Sequence, residues 1–357
     1  MIKRHLARLS LLALLFAALT GCVDTLVVPE PVPEPVPAYG DMPLCFSAGM
    51  LSAAVVATKA GTFPNDKPDS PFETDGSQIT VFGYRYQNQV LDENLVFDYE
   101  EVIRTNGRWT YTPLQYWKHS GSYRFMAVYP ALDHNTCSFS PSQNRLVSTY
   151  LMHGDDYDLM VAEAERVDLS TDYMTKTDTV ALRFKHATAA VRFLFRKGLD
   201  AGENNYYLHS FELQKVHTVG ALMYDAGTTI SANSWYVAEY LDPRVFIWES
   251  ESYTDNKEVP DSYANYLGAY AASTARWHYV IPQQLSEKTA AINFSVLVNE
   301  NDENAVPVYT TLDLPAINWE PGKAYTYYIQ IQPGTVDITV TTIPWDNYSV
   351  ATDDISF

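Results

Sequence analysis

Apolar and polar residues alternate along most of this chain, and this period of two restricts the possible folds more than any other feature. It recurs in QITVFGYRY (78–86), SYRFMAVYP (122–130), AINFSVLVN (291–299), AYTYYIQIQ (324–332) and VDITVTTI (336–343). Such alternation is typical of strands that bury one face in a core. Turn sequences such as TNGR, EPGK and QPGT separate the segments. The pattern therefore predicts an all-β chain built of sandwiches.

The pattern also predicts where the chain divides. TVALRFKHATAAVRFLFRK (179–197) has the pattern of two strands with a break of small residues, and the polar stretch 168–178 before it is typical of a linker. We expect an N-terminal β-sandwich domain over residues 41–178 and a C-terminal one over residues 179–357. A turn or two of helix is expected within residues 142–153.

The N-terminus has the three parts of a secretory signal peptide, which we assign to residues 1–21. MIKRHLAR is basic, LSLLALLFAAL is apolar, and a site of small residues follows. The apolar run is shorter than the roughly 20 residues that a membrane-spanning helix needs. The sequence LTGC matches a bacterial lipobox, which predicts cleavage between Gly21 and Cys22 and two acyl chains on Cys22. The alternative is an ordinary signal peptide with a chance cysteine.

A proline-rich stretch follows the predicted lipid site. Prolines alternate through PEPVPEPVP (29–37), which favours a polyproline II helix that extends about 3.1 Å per residue. We interpret residues 22–40 as a tether that holds a folded body away from a membrane. A ligand for a proline-recognition domain is the alternative interpretation.

The charge and cysteine content exclude some classes of function. The chain has 43 acidic and 24 basic residues and a net charge of −19, whereas binding to nucleic acid needs a basic surface. Besides Cys22, only Cys45 and Cys137 are present. They could pair in an exported protein, but nothing in their spacing requires it, and two unpaired thiols are the favoured interpretation.

Polar motifs that would indicate catalysis or metal binding are weak. HGDDYD (153–158) offers oxygen ligands for calcium, but the complete calcium-loop pattern is absent, and an acidic turn is favoured. His186 lies between two strand-like segments and is interpreted as a structural group. No histidine pair has the spacing of a helical zinc site. We predict no metal and no cofactor.

The sequence contains no nucleophile elbow, P-loop or dinucleotide-binding glycine motif. A distant pair of carboxylates for glycoside hydrolysis is compatible with any sequence of this length. We nevertheless expect no enzymatic activity and assign no catalytic residue.

Two aromatic or irregular stretches are candidates for ligand binding. Trp109, Tyr111, Tyr116 and Trp117 cluster in RWTYTPLQYW, and such side chains either stack on sugar rings or pack in a core. Core packing is the favoured interpretation. The long irregular stretch 250–274 is the other candidate, because loops of this length are uncommon without a function.

Five segments, taken in order, resemble the fimbrillin family, the Mfa-like lipoproteins of Bacteroidetes that include type V pilus subunits. They are ITVFGYRY, GRWTYTPLQYWKHSGSYRFMAVYP, YDLMVAEAERVD, LRFKHATAAVRFLF and WEPGKAYTYYIQI, and the last of them is followed by IPW. The resemblance runs from about residue 44 to residue 346. It implies two tandem transthyretin-like β-sandwich domains. It also implies export to the outer membrane as a lipoprotein, removal of the first strand by a protease, and insertion of a strand from another subunit.

This sequence carries some parts of that assembly route and lacks another. PLCFSAGML (43–51) has the pattern of a first strand, and the loop 55–71 after it is open to a protease. Well-known shaft subunits of the family are cut after an arginine here, but this chain has none between Cys22 and Arg85. Cleavage between Lys59 and Ala60 is the expected substitute, ahead of cleavage after Lys67. If the lipid is kept, the chain suits an anchor subunit.

The C-terminal end leaves the role within a pilus open. VDITVTTI has the pattern of a good strand, but YSVATDDISF after it is short and is interrupted by Asp353 and Asp354. Stalk, anchor and tip are all compatible with this end.

We expect a structural subunit of a cell-surface fimbria that supports adhesion. Its expected partners are other fimbrial subunits, by strand exchange, and the outer membrane, through the lipid on Cys22. The alternative is a monomeric surface lipoprotein that binds glycan or a host protein.

Overall fold

The computed structural model confirms the all-β prediction. It describes residues 43–50, 71–88, 90–92, 95–118, 121–152, 157–164, 167–168, 179–237, 244–261, 277–286 and 290–344. Twenty-four strands and four short 3-10 helices make up the regular structure of these residues. Across the described ranges, no helix is long and apolar enough to cross a membrane.

The largest sheet, sheet A, has nine strands. They are β1 (Cys45–Met50), β2 (Gln78–Gln87), β3 (Val90–Leu91), β4 (Phe97–Thr105), β5 (Arg108–Thr110), β6 (Ser122–Tyr129), β9 (Met160–Glu163), β10 (Val167–Asp168) and β11 (Thr179–His186). The main order is β1-β11-β9-β6-β2-β4-β5, with β10 on β6 and β3 on β2.

Sheet A curls around a core of its own. The rings of Phe46 on β1 and Phe97 on β4 lie 5.3 Å apart, although four other strands lie between β1 and β4 in the order of the sheet. The amide of Leu44 also donates to the carbonyl of Gln115 at 2.8 Å, close to the opposite end of the sheet. The twist of a sheet this wide brings its two ends together, so one of its faces is enclosed.

Sheet B covers the other face of sheet A. Its strands are β7 (Cys137–Ser140), β8 (Arg145–Leu151), β14 (Val219–Asp225) and β15 (Trp235–Val237), in the order β15-β14-β8-β7. Phe139 of β7 packs on Phe82 and Tyr84 of β2, with ring centroids 5.2 and 5.4 Å apart. Sheet B therefore joins a hairpin from the first half of the chain to strands from the second half.

Two further sheets pack face to face. Sheet C contains β12 (Ala189–Lys197), β18 (His278–Val280), β23 (Lys323–Gln332) and β24 (Thr335–Pro344), and sheet D contains β13 (Tyr206–Gln214), β16 (Arg244–Glu249), β17 (Lys257–Glu258), β20 (Ala291–Val298) and β21 (Val308–Asp313). Phe193 and Phe195 of β12 meet Phe211 and Phe294 of sheet D at 4.9 and 5.5 Å. A small separate sheet pairs β19 (Gln283–Leu285) with β22 (Ile317–Trp319).

The segment 179–197 forms two strands, as predicted, and they belong to different sheets. β11 pairs with β1 and β9 in sheet A, whereas β12 pairs with β18 and β23 in sheet C. The division into domains over 41–178 and 179–357 stays a prediction. The pairing of β11 with sheet A favours a division after His186 over one after residue 178.

The expected turn of helix within residues 142–153 is wrong for the residues described there. Arg145–Leu151 is strand β8, which pairs with both β7 and β14. Leu146, Ser148 and Tyr150 are buried while the residues between them are more exposed, so the true period is two. Pairing with β7 and β14 decides the structure here, because the intrinsic preference of a short segment for strand or helix is weak.

Candidate functional site

The first strand occupies a distinct seat at the edge of sheet A. β1 runs parallel to β11, in a register that pairs Cys45 with Thr179 and Met50 with Phe184. Just before β1, Pro43 forms an isolated β-bridge with Tyr116, on the side of the chain that does not pair with β11. β1 therefore fills a gap between β11 and the segment that follows β5.

The side chains of β1 alternate between the enclosed core and the surface. Leu44, Phe46 and Met50 are almost fully buried, whereas Cys45 and Ser47 are only partly buried. The predicted strand 43–51 is thus present as Cys45–Met50, with its apolar face in the core. The apolar side chains of β1 complete the enclosed core of sheet A, and removal of β1 would expose part of that core to water.

Phe46 lies in a pocket made of three aromatic rings. Its ring centroid is 5.3 Å from that of Phe97 and 5.8 Å from those of Tyr111 and Phe125, and all three contacts are edge-to-face. Such geometry contributes free energy beyond the burial of area. We call this pocket the Phe46 seat.

Gly83 on β2 makes room for the walls of the Phe46 seat. A Cβ atom at this position would lie 2.6 Å from the ring of Phe97 and 3.0 Å from that of Phe125. Glycine inside a strand often marks a site where another group approaches closely. A larger residue at position 83 would therefore force the ring of Phe97 to shift and would disturb the walls of the Phe46 seat.

Tyr111 contacts both the side chains and the backbone at the start of β1. Its ring faces Phe46, and its hydroxyl donates to the carbonyl of Leu44 at 2.7 Å. Burial raises the pKa of Tyr111 to about 12, so the hydroxyl keeps its proton and remains a donor at physiological pH. The Leu44–Gln115 hydrogen bond lies beside it and holds the same residue.

The processing sites predicted from the sequence lie outside the described residues. These are Gly21 and Cys22 at the signal-peptide end, and Lys59 and Ala60 in the loop after β1. The described chain stops at Met50 and resumes at Pro71. The lipid on Cys22 and the cleavage after Lys59 therefore stay predictions.

The described part of the acidic stretch 153–158 belongs to a buried polar cluster. Asp158 lies 2.8 Å from Nδ1 of His186 and accepts a hydrogen bond from Thr188 Oγ1 at 2.9 Å. Residues 153–156 lie outside the described part of the chain. Among the described residues, no three His, Cys, Asp or Glu side chains come together as metal ligands. The interpretation of His186 as a structural group fits this contact.

Most of the aromatic cluster 109–117 packs into the enclosed core of sheet A. Trp117 is 1% exposed and meets the ring of Tyr123 at 4.9 Å. Tyr111 is buried and Trp109 is partly buried against the same core, whereas Tyr116 is 43% exposed. These side chains support the seat of β1 and do not form a flat platform for a sugar.

The two cysteines of the folded body are separate free thiols. Cys137 is buried in the core between sheets A and B, and Cys45 is partly buried on the outer side of β1. This agrees with the favoured interpretation of two unpaired thiols.

Sequence reasoning found β1 but missed the residues that receive it. Phe97, Phe125 and Gly83 come from strands β4, β6 and β2, far from β1 in the sequence. The alternation of apolar residues in these strands was visible in the sequence. A glycine at position 83, inside a strand-like segment, also indicated that another group approaches the backbone closely there.

The comparisons with known proteins identify the family of this chain. The family model described as "Fimbrillin-like" matches residues 58–345, which include every strand except β1. The chain therefore belongs to the fimbrillin-like family.

Two solved structures have a fold similar to that of this chain. A fimbrial protein from Bacteroides vulgatus has a TM-score of 0.53 at 14% identity, covering 75% of this chain and 92% of that protein. A candidate cell-adhesion protein from Bacteroides ovatus has a TM-score of 0.50 at 16% identity, covering 87% and 99%. At this identity the likeness shows the fold alone. The search of curated protein sequences found no match.

Proposed function

We propose that this chain is a structural subunit of a cell-surface fimbria that is exported as an outer-membrane lipoprotein and assembled by strand exchange. Membership of the fimbrillin-like family and the lipobox sequence before Cys22 support the proposal. The observation that carries it is the position of β1, an edge strand whose buried side chains fill a seat made by other strands.

Loss of β1 would leave a surface that is suited to another strand. The edge of β11 would present unpaired amide and carbonyl groups, and the Phe46 seat would open to water. An exposed edge with apolar pockets is the acceptor in β-strand addition. A strand from a neighbouring subunit would restore the hydrogen bonds and refill the pockets, which would link the two subunits.

Cleavage would have to fall in the loop between β1 and the 3-10 helix at Pro71–Glu73. The loop contains Lys59 and Lys67 but no arginine. In our proposal the bond between Lys59 and Ala60 is cut in a polymerising subunit. A chain that keeps its lipid on Cys22 would instead serve as an anchor at the base of a fimbria.

The alternative function, a monomeric surface lipoprotein that binds glycan or a host protein, has less support. It drew on the aromatic cluster 109–117, where Trp117 is buried against Tyr123, and on the stretch 250–274, of which residues 262–274 lie outside the described residues. The proposed role includes no catalytic step and no cofactor.

Mass spectrometry of the mature N-terminus on intact cells tests this proposal. A terminus at Ala60, lost in a Lys59→Ala variant and kept in a matched Lys67→Ala variant, is the result expected for a polymerising subunit. A lipidated Cys22 in every molecule, within assembled fimbriae, is the result expected for an anchor. An unmodified Cys22 together with an uncut loop would contradict both forms of the proposal.

A further inference from the structure

We propose that the seat of β1 selects its incoming strand, and the register of that strand, by an aromatic side chain at the position of Phe46, and that Tyr111 anchors the backbone two residues before it. The inference rests on the proposed function, because it concerns the strand that would replace β1. It defines the partner by the pattern of side chains that the partner must present.

The selection follows from the shape and chemistry of the Phe46 seat. Phe97, Tyr111 and Phe125 all direct ring edges or faces at one ring, at centroid distances of 5.3 to 5.8 Å. Gly83 allows two of these rings to pack against β2, which fixes the width of the pocket. An aliphatic side chain fills less of this space and loses the edge-to-face contacts.

The backbone anchor consists of two hydrogen bonds to the backbone of Leu44. Tyr111 donates its hydroxyl to the carbonyl of this residue, and the carbonyl of Gln115 accepts its amide hydrogen. Neither bond depends on the side chain at position 44, so any extended segment offers the same groups. Once these bonds form, the residue two positions later points into the Phe46 seat. A shift by one residue would turn the aromatic side chain out to solvent.

The remaining positions of β1 complete the pattern. Positions 44 and 50 are deeply buried and apolar, position 48 holds a small residue packed against the core, and positions 45 and 47 face outward. The strand that fits runs parallel to β11 and reads large apolar, any, aromatic, any, small, any, large apolar. A strand of another fimbrial subunit with this pattern is the partner that the seat would take.

A displacement experiment tests the inference on the folded chain. A chain that begins at residue 23, and so lacks the predicted lipid site, would carry a specific protease sequence between residues 60 and 61 and a fluorescent label at its N-terminus. After cleavage, the labelled fragment remains bound to the rest of the protein because it contains β1, which stays paired with β11. Synthetic peptides of residues 43–50 are then added under reducing conditions, and release of the label is measured by size-exclusion chromatography.

Four peptides distinguish the outcomes. The natural peptide and a Ser47→Ala control, altered on the outward face, should release the label at the same concentration. A Phe46→Ala peptide should need roughly 100- to 1000-fold more, given the usual effect of truncating a buried phenylalanine. A Phe46→Leu peptide should need about tenfold more, because it keeps apolar volume but loses the aromatic contacts.

A Tyr111→Phe chain separates anchoring of the backbone from packing of the ring. It keeps the ring but loses the hydroxyl, which donates to the Leu44 carbonyl and accepts from the amide of Gln115 at 3.3 Å. We therefore expect all four peptides to bind more weakly by the same factor, about five- to tenfold, and unchanged binding would overturn the anchoring role. Equal release by the natural and Phe46→Ala peptides would overturn the selection while strand exchange stands. Failure of every peptide to release the label would refute strand exchange at this seat, and the inference with it.

Discussion

Replacement of Phe46 by alanine in the intact chain should loosen β1 and leave the rest of the fold in place. The side chain is 4% exposed, and truncation of such a phenylalanine typically costs about 3–5 kcal/mol. An edge strand can relax more than a central one, so we expect about 3–4 kcal/mol. This corresponds to a roughly 100- to 1000-fold larger population in which β1 is detached.

Hydrogen exchange measured by mass spectrometry resolves this local effect. Exchange should accelerate in β1 and in the facing edge of β11, whereas β20 (Ala291–Val298), in the middle of sheet D, should keep its protection. Ser47→Ala, on the outward face of β1, is the matched control. Its effect should stay within about 0.5 kcal/mol, which is usual for substitutions near the surface.

Two results would refute this reasoning. If Phe46→Ala accelerates exchange equally in β11 and β20, then β1 is an integral part of the whole fold and not a separable strand. If it accelerates exchange in neither, then the Phe46 seat contributes little to holding β1.

The other predictions concern single side chains outside β1. Thr188→Val should destabilise the fold by about 1–3 kcal/mol, since Asp158 then loses a buried donor, and a urea titration measures this. Trp117→Ala should destabilise by about 3–5 kcal/mol, whereas Tyr116→Ala should change stability by less than about 0.5 kcal/mol; glycan binding lost in a fully folded Trp117→Ala protein would contradict the packing role. Burial raises the pKa of Cys137 to about 12, so its thiol should resist alkylation at pH 8 in the native protein and react rapidly once the chain is unfolded.

Strand patterns in the second half of the chain could be predicted because the large apolar side chains of these strands occupy alternate positions, on the face that packs into the main core. Tyr325, Tyr327, Ile329 and Ile331 share one face in the sequence, and all four are buried in β23. The same reasoning held for Ile292, Phe294 and Val296 in β20, where Val298 lies at the strand end and is 37% exposed. Burial of one face imposes the period of two directly on the sequence.

Strand partners could not be predicted, because pairing is set by contacts between distant residues. Ala187 and Thr188 were visible as a break between two strands, but nothing local shows that β11 and β12 lie in different sheets. The pairing of β8 with β14 joins residues about seventy positions apart, such as Tyr150 and Gly220. Such pairing depends on the whole sheet and on loop closure.

The candidate site was predictable as a strand but not as a seat. PLCFSAGML showed which residues of β1 face inward. The rings of Phe97 and Phe125 that receive Phe46 lie on two other strands, and only the curl of sheet A brings them to β1. The role of the Tyr111 hydroxyl as a donor to the Leu44 carbonyl depends on the same closure.

The most direct test of strand-linked assembly is a denaturing gel of purified cell-surface material, run with and without boiling. Subunits linked through a replaced β1 are held by many backbone hydrogen bonds and buried side chains, and they should resist detergent in the cold. A ladder of regularly spaced bands that collapses to one band after boiling is the expected result. A single monomer band under both conditions would contradict it.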